Sequence, residues 1–290
     1  MFRWYTCAVA IVLALMSALV YGVSDYVGGR NSRRFSPITL SWVSELTMLM
    51  AFGLSIPLLV DGGPSSRVVW WSIVGGLSGS LGVLGLYAAL ARGNMTVVAP
   101  ITGVVSAGLP VVVGLVLGER PAPLAVAGIV LAVVAVALIG GVVGATRQQI
   151  SASTIMVAAL VGGAFGMLFI AYSQAGQDGD LWPLLLSRLG GVPLLSIAYL
   201  VARRRGAIEP LTGGVFRPAI AIGVMVGTAN GLYLLSTHSG LLSIVAVIVS
   251  LYPASTIMLA IALDHERASR SQLGGMTIAA VAVAAITLGS

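Results

Sequence analysis

Two ionisable side chains, Glu45 and Arg188, stand well inside long apolar runs. A charge near the middle of a bilayer costs ~2.5–3.5 kcal/mol on insertion scales, so each needs a partner or a task. The planar fork of an arginine can hold a carboxylate through paired hydrogen bonds. A carboxyl removed from water favours its neutral form, which makes it a candidate proton carrier. Glu45 and Arg188 fall at similar depths if their two segments enter from opposite faces, and they are expected to interact directly or through a bound solute. Asn230 lies in another apolar run, and Asp25 lies near the end of the first.

Other chemistries find less support. Gly76-Leu77-Ser78-Gly79 has the Gly-x-Ser-Gly form of an intramembrane serine nucleophile. Such a serine needs a base within hydrogen-bond reach, and the two histidines, His238 and His265, fall at expected helix ends. Asp264, His265 and Glu266 are adjacent in a charged loop and share no helical face, so they read as solvated rather than as a metal site. All 15 basic residues are arginine. No lysine is present to cradle phosphates or form a Schiff base. Cys7 is the single cysteine, which excludes an intrachain disulfide or a cysteine metal cluster. No catalytic residue, metal or cofactor is expected.

The segments that carry these residues need lipid as solvent. The chain of 290 residues is 58% hydrophobic and 8% charged, where soluble domains carry about 25% charged residues. The apolar runs predict an all-α membrane protein with ten transmembrane helices near 6–27, 36–60, 68–91, 95–117, 122–143, 152–175, 181–202, 216–237, 241–263 and 270–289. The net charge of +6 comes from arginines in short connections, so it reads as membrane orientation and not as nucleic-acid binding. Residues 1–22 have some signal-peptide character, but the run is long and has a counterpart later in the chain.

That counterpart belongs to a repeat of about 146 residues. Tyr21-Gly22 matches Phe165-Gly166, and Pro37 matches Pro183. Gly85-Leu86-Tyr87 matches Gly231-Leu232-Tyr233, Glu119-Arg120 matches Glu266-Arg267, and Gly128 matches Gly275. The chain therefore divides into residues 1–147 and 148–290. Each half holds an odd number of spans, so the second is expected upside down relative to the first. Inverted repeats of this kind place a solute site at the repeat interface near the bilayer midplane.

The matched residues also carry a family resemblance. The Tyr21-Gly22 turn, the Ser250-Leu251-Tyr252-Pro253 run, and Gly118-Glu119-Arg120-Pro121 with its echo Asp264-His265-Glu266-Arg267 resemble the EamA-type branch of the drug/metabolite transporter superfamily. The echo is imperfect, since Asp264-His265 stands where the first half has Leu117-Gly118. The resemblance covers essentially the whole chain. It implies a central cavity between the halves and export of an amino acid-like or drug-like metabolite. A lipid-linked flippase and an intramembrane enzyme are the rival readings.

On this reading the candidate substrate-binding residues are Glu45, Arg188, Asn230, Tyr87 and Tyr233, with Tyr252 a further cavity-lining candidate. The candidate proton carriers are Glu45 and Asp25. Glycines at 76, 79, 82 and 85, and at 223, 227 and 231, are expected to let helices approach closely. Glu119 is expected to cap or anchor near the start of the fifth helix, with gating as the alternative. The expected partners are a small organic solute and membrane lipid; homodimer formation is left open. The expected location is the inner (plasma) membrane, crossed many times. The N-terminus and even-numbered connections hold 3 arginines: Arg3, Arg67 and Arg120. Odd-numbered connections hold 11: Arg30, Arg33, Arg34, Arg92, Arg147, Arg203, Arg204, Arg205, Arg217, Arg267 and Arg270. The charge rule then puts both termini outside, whereas the resemblance implies cytoplasmic termini. The charge count is given more weight, because three adjacent arginines at 203–205 resist translocation.

Overall fold

Long apolar runs become helices in lipid, where no water is available to satisfy backbone N–H and C=O groups. The computed structural model describes residues 2–90, 95–140, 152–265 and 268–289, with side chains for residues 7–86, 98, 101–140, 152–265 and 268–289. All its regular structure is helical among the described residues. The first half holds α1 (Phe2–Asn31), α2 (Pro37–Leu59), α3 (Ser66–Leu90), α4 (Met95–Val116) and α5 (Pro123–Ile139). The second holds α6 (Ala152–Gly179), α7 (Trp182–Arg204), α8 (Phe216–Thr237), α9 (Leu242–Val249), α10 (Tyr252–Asp264) and α11 (Arg270–Leu288), with a single 3-10 turn before α8. Proline opens α2, α5, α7 and α10, where its missing N–H costs nothing and its fixed φ suits the first turn.

Eight of these segments are long and apolar enough to cross a membrane, counting Leu242–Asp264 as one. Ile101–Val116 and Pro123–Ile139 are shorter apolar helices. The 17 residues of α5 reach about 26 Å, close to the ~30 Å hydrocarbon core. The chain is a multi-pass membrane protein. The ninth expected span is met by Leu242–Asp264, but its helix is interrupted. It breaks at Ser250 and Leu251 into α9 and α10, because Pro253 at the start of α10 cannot donate to the preceding turn.

The most extensive packing partners exchange when the two halves are exchanged, although the packing of α4 on α5 has no comparable counterpart between α10 and α11. The helix α3 packs on α6 as α8 packs on α1, and α3 on α7 as α8 on α2. The helix α4 packs on α6 as α9 and α10 pack on α1, while α2 pairs with α7 and α5 with α11. Glycine contacts follow the same exchange. In the α5–α11 seam Gly128 lies against Ile286, and Gly275 lies against Ile139. Both glycines and both isoleucines are separated by 147 residues. Gly22 of α1 lies against Tyr252 and Ser255, and Gly166 of α6 lies against Leu109 and Pro110. The glycines of α3 serve two neighbours: Gly79, Gly82 and Gly85 face Leu168, Phe165 and Val161 of α6, and Gly76 faces the backbone of Ser187 in α7. In α8, Gly223 and Gly227 face Ser44 and Phe52 of α2. Small residues thus set the helix spacing on both sides of the molecule.

Candidate functional site

The ion pair between α2 and α7 is the centre of the site. Arg188 Nη1 donates to Glu45 Oε2 at 2.7 Å. The Arg188 side chain is 4% exposed and that of Glu45 17%. The rest of the guanidinium is occupied as well. Nη2 donates to the Tyr172 hydroxyl at 2.7 Å and to Ser187 Oγ at 3.0 Å. Nε donates to Ser187 Oγ at 3.2 Å, and Nη1 also meets Met48 Sδ at 3.5 Å. Tyr172 and Ser187 share a further hydrogen bond of 2.9 Å. A guanidinium has five N–H groups in a fixed fork, and this network spends them on neighbours. Both charges are desolvated, so each is tolerable only because the other is in place.

Above this pair lies a cavity of ≈ 240 Å³ lined from both halves. Helices α1, α2, α3 and α4 contribute from the first half, and α6, α7, α8 and α10 from the second. Its polar lining includes Asp25, Glu45, Ser80, Arg188 and Asn230. Aromatic rings of Tyr21, Phe165, Phe169 and Tyr252 complete the walls. The lining falls mostly in the C-terminal halves of α1 and α3 and toward the N-terminal ends of α2 and α8. Those helix ends carry Arg30, Arg33, Arg34 and Arg217. Toward the other end the core between the helices is filled by aromatic rings and by α9. Phe169 and Tyr233 have ring centroids 4.9 Å apart, Tyr172 and Tyr233 6.5 Å apart, and every residue of α9 is buried.

The candidate residues separate into groups. Glu45, Arg188, Asn230 and Asp25 line the cavity, as does Tyr252. The Tyr21 hydroxyl donates to Asn230 Oδ1. Asp25 is exposed and has no hydrogen-bond or ion-pair partner among the described residues. Tyr233 stands outside the cavity lining: it is fully buried in the core, and its hydroxyl donates to the Phe169 carbonyl at 2.9 Å. Its polar end is satisfied by backbone, so packing accounts for it. The Tyr87 side chain lies outside the described residues, as do Glu266 and Arg267.

Three residues of the site were not legible beforehand. Tyr172 and Ser187 complete the Arg188 network, and Ser80 Oγ is buried in the cavity wall without a hydrogen-bond partner among the described residues. The adjacency of Ser187 to Arg188 was the available signal for one of them; hydroxyls are common in membrane helices and carry little signal alone. Glu119 is also placed differently from its expected role. It does not cap α5, whose N-cap Ala122 makes no side-chain bond. Its carboxylate instead accepts the N–H of Leu242 at 2.5 Å and of Ser243 at 2.9 Å, at the start of α9 in the other half. Among the described residues no three His, Cys, Asp or Glu side chains converge into a metal-binding set.

Residues 8–141 match the model of the EamA-like transporter family. Over this stretch, a little under half of its length, the chain is similar to that family. The EamA-like region covers α1 to α5 and so supplies one wall of the cavity, including Asp25 and Glu45. A solved crystal structure of another protein superposes on this chain with a TM-score of 0.77. It covers 97% of each chain at 16% identity, which shows a shared fold. No curated protein matches the sequence.

Proposed function

We propose that this EamA-type chain is a secondary transporter that exports a small organic metabolite by alternating access between two inverted five-helix repeats, residues 1–147 and 148–290. The observation that carries the reading is the cavity itself: it lies between the halves, takes lining residues from both, and ends on the Glu45–Arg188 pair that bridges them. The exchange of helix partners and of the Gly128–Ile286 and Gly275–Ile139 contacts supports an inverted repeat. The cavity lies toward the arginine-rich helix ends, which the charge rule assigns to the cytoplasm of a plasma membrane. A cavity on that side is in the loading position for export.

Glu45 has a defined part in this reading. A proton on its carboxyl cancels the charge that holds Arg188 Nη1. A solute that reaches the pair can do the same by competing for either partner. Either event loosens the bridge between α2 and α7, and so couples loading to a change in how the halves meet. The test is flux in proteoliposomes of the full chain and of Glu45→Gln and Arg188→Gln, compared at matched folded amounts. Folded variants that bind solute but do not move it support the reading. Unchanged flux in both defeats it.

A further inference from the structure

We propose that the cavity takes a small organic cation, an amine or quaternary ammonium, with Asp25 as the counter-charge and the rings of Tyr21 and Tyr252 as flanking faces. The inference rests on the transporter reading above and names the substrate class for the same cavity.

The charge inventory comes first. The charged lining residues are Asp25, Glu45 and Arg188. Glu45 and Arg188 neutralise each other at 2.7 Å. The fork of Arg188 is already taken up by Glu45, Tyr172, Ser187 and Met48. An incoming carboxylate finds no free cation in the lining and must evict Glu45 into a desolvated site without a partner. Asp25 stands apart, exposed and unpaired among the described residues. Asp25 is therefore the acidic group of the lining that has no counter-charge among the described residues.

The surroundings of Asp25 suit a cation further. Tyr21 and Asp25 are four residues apart on α1 and so share one helical face. The Tyr21 and Tyr252 rings lie 6.2 Å apart at 52°, and both line the cavity. Ring faces attract ammonium groups. The Tyr21 hydroxyl is turned to Asn230, which fixes the ring. Ser80 Oγ, buried in the same wall and unpartnered among the described residues, supplies one neutral polar contact deeper in. Val83, Leu86, Phe165, Leu168 and Val226 of the same lining can cover a hydrocarbon body.

The experiment uses four probes of similar size: 2-phenylethylammonium, benzyltrimethylammonium, neutral 3-phenylpropanol and anionic 3-phenylpropionate. Binding is measured by calorimetry on the purified full chain, on Asp25→Asn, on Asp25→Glu and on Tyr252→Leu, with thermal unfolding as the control for folding. The two cations are expected to bind at least tenfold tighter than the alcohol or the carboxylate. Asp25→Asn should lose at least tenfold for both cations, Asp25→Glu should keep most of the affinity, and Tyr252→Leu should weaken benzyltrimethylammonium. Equal cation binding by folded Asp25→Asn overturns the proposal, as does a preference for 3-phenylpropionate. Proteoliposome flux separates the two levels. If the alcohol or the carboxylate crosses and the cations do not, the cation assignment falls and transport stands. If none of the four binds or crosses, both fall.

Discussion

Glu119, in the connection between α4 and α5, holds the backbone N–H of Ser243 at 2.9 Å and so caps the first turn of α9 from the opposite half of the chain. The same carboxylate takes the N–H of Leu242. Free N–H groups and the helix dipole make a helix start a natural place for a carboxylate. Because the helix and its cap come from different halves, the bond also ties the packed end of the molecule together.

Removing the charge while keeping an acceptor should weaken this tie without abolishing it. Glu119→Gln is expected to lower stability by about 1 kcal/mol, and Glu119→Ala by up to about 2 kcal/mol, the range for lost helix caps. Thermal unfolding in detergent checks both. An Ala variant as stable as the parent shows that the cap contributes nothing.

The Glu45–Arg188 pair should behave as a coupled unit. Breaking a buried pair by removing one partner costs roughly 3–5 kcal/mol, because the other charge stays buried and alone. Glu45→Gln and Arg188→Gln are each expected to destabilise strongly, and the double variant by clearly less than their sum. A double-mutant cycle in unfolding free energy measures this. Strict additivity is the result that contradicts the pairing.

The α3–α7 contact predicts a sharp contrast between two glycines. A methyl at Gly76 runs into the carbonyl oxygen of Ser187, which belongs to backbone and cannot step aside. At Gly163 in α6 a methyl meets nothing within 4 Å. Gly76→Ala should therefore lose more than about 2 kcal/mol of stability. Gly163→Ala should be neutral or gain up to about 1 kcal/mol from helix propensity. Fluorescence-detected size exclusion after a heat step ranks the two directly.

Orientation is open to a simple labelling test. In a Cys7→Ala background, Gly62→Cys sits in the α2–α3 connection and Gly206→Cys beyond the end of α7, next to the arginines at 203–205. The arginine count predicts that an impermeant maleimide labels position 62 in intact cells and position 206 only after lysis. The reverse pattern puts the arginine-rich face outside and the termini inside.

The large features were legible because lipid makes them costly to write any other way. Ten apolar runs follow from the thickness of the membrane, and they reappear as the eight long and two shorter apolar segments. Glu45 and Arg188 stood out because isolated charges in such runs are rare. What could not be read were relations between segments. The break between α9 and α10 hides in an unbroken apolar average. Tyr172 and Tyr233 look equivalent as tyrosines in apolar runs, yet one hydroxyl serves Arg188 and the other a backbone carbonyl. Glu119 lies just before the fifth span in sequence, but its partners are 123 and 124 residues away.

The α5–α11 seam has a mechanical meaning beyond packing. Gly128 receives Ile286 at one point along it, and Gly275 receives Ile139 at the corresponding point of the partner helix. The same notch and peg are cut twice in one seam. A side chain added at either glycine would run into the isoleucine it receives, so the seam fixes the same close approach twice. In the proposed alternating access a joint made twice over is suited to hold, while the cavity and the Glu119 clasp are the parts suited to change.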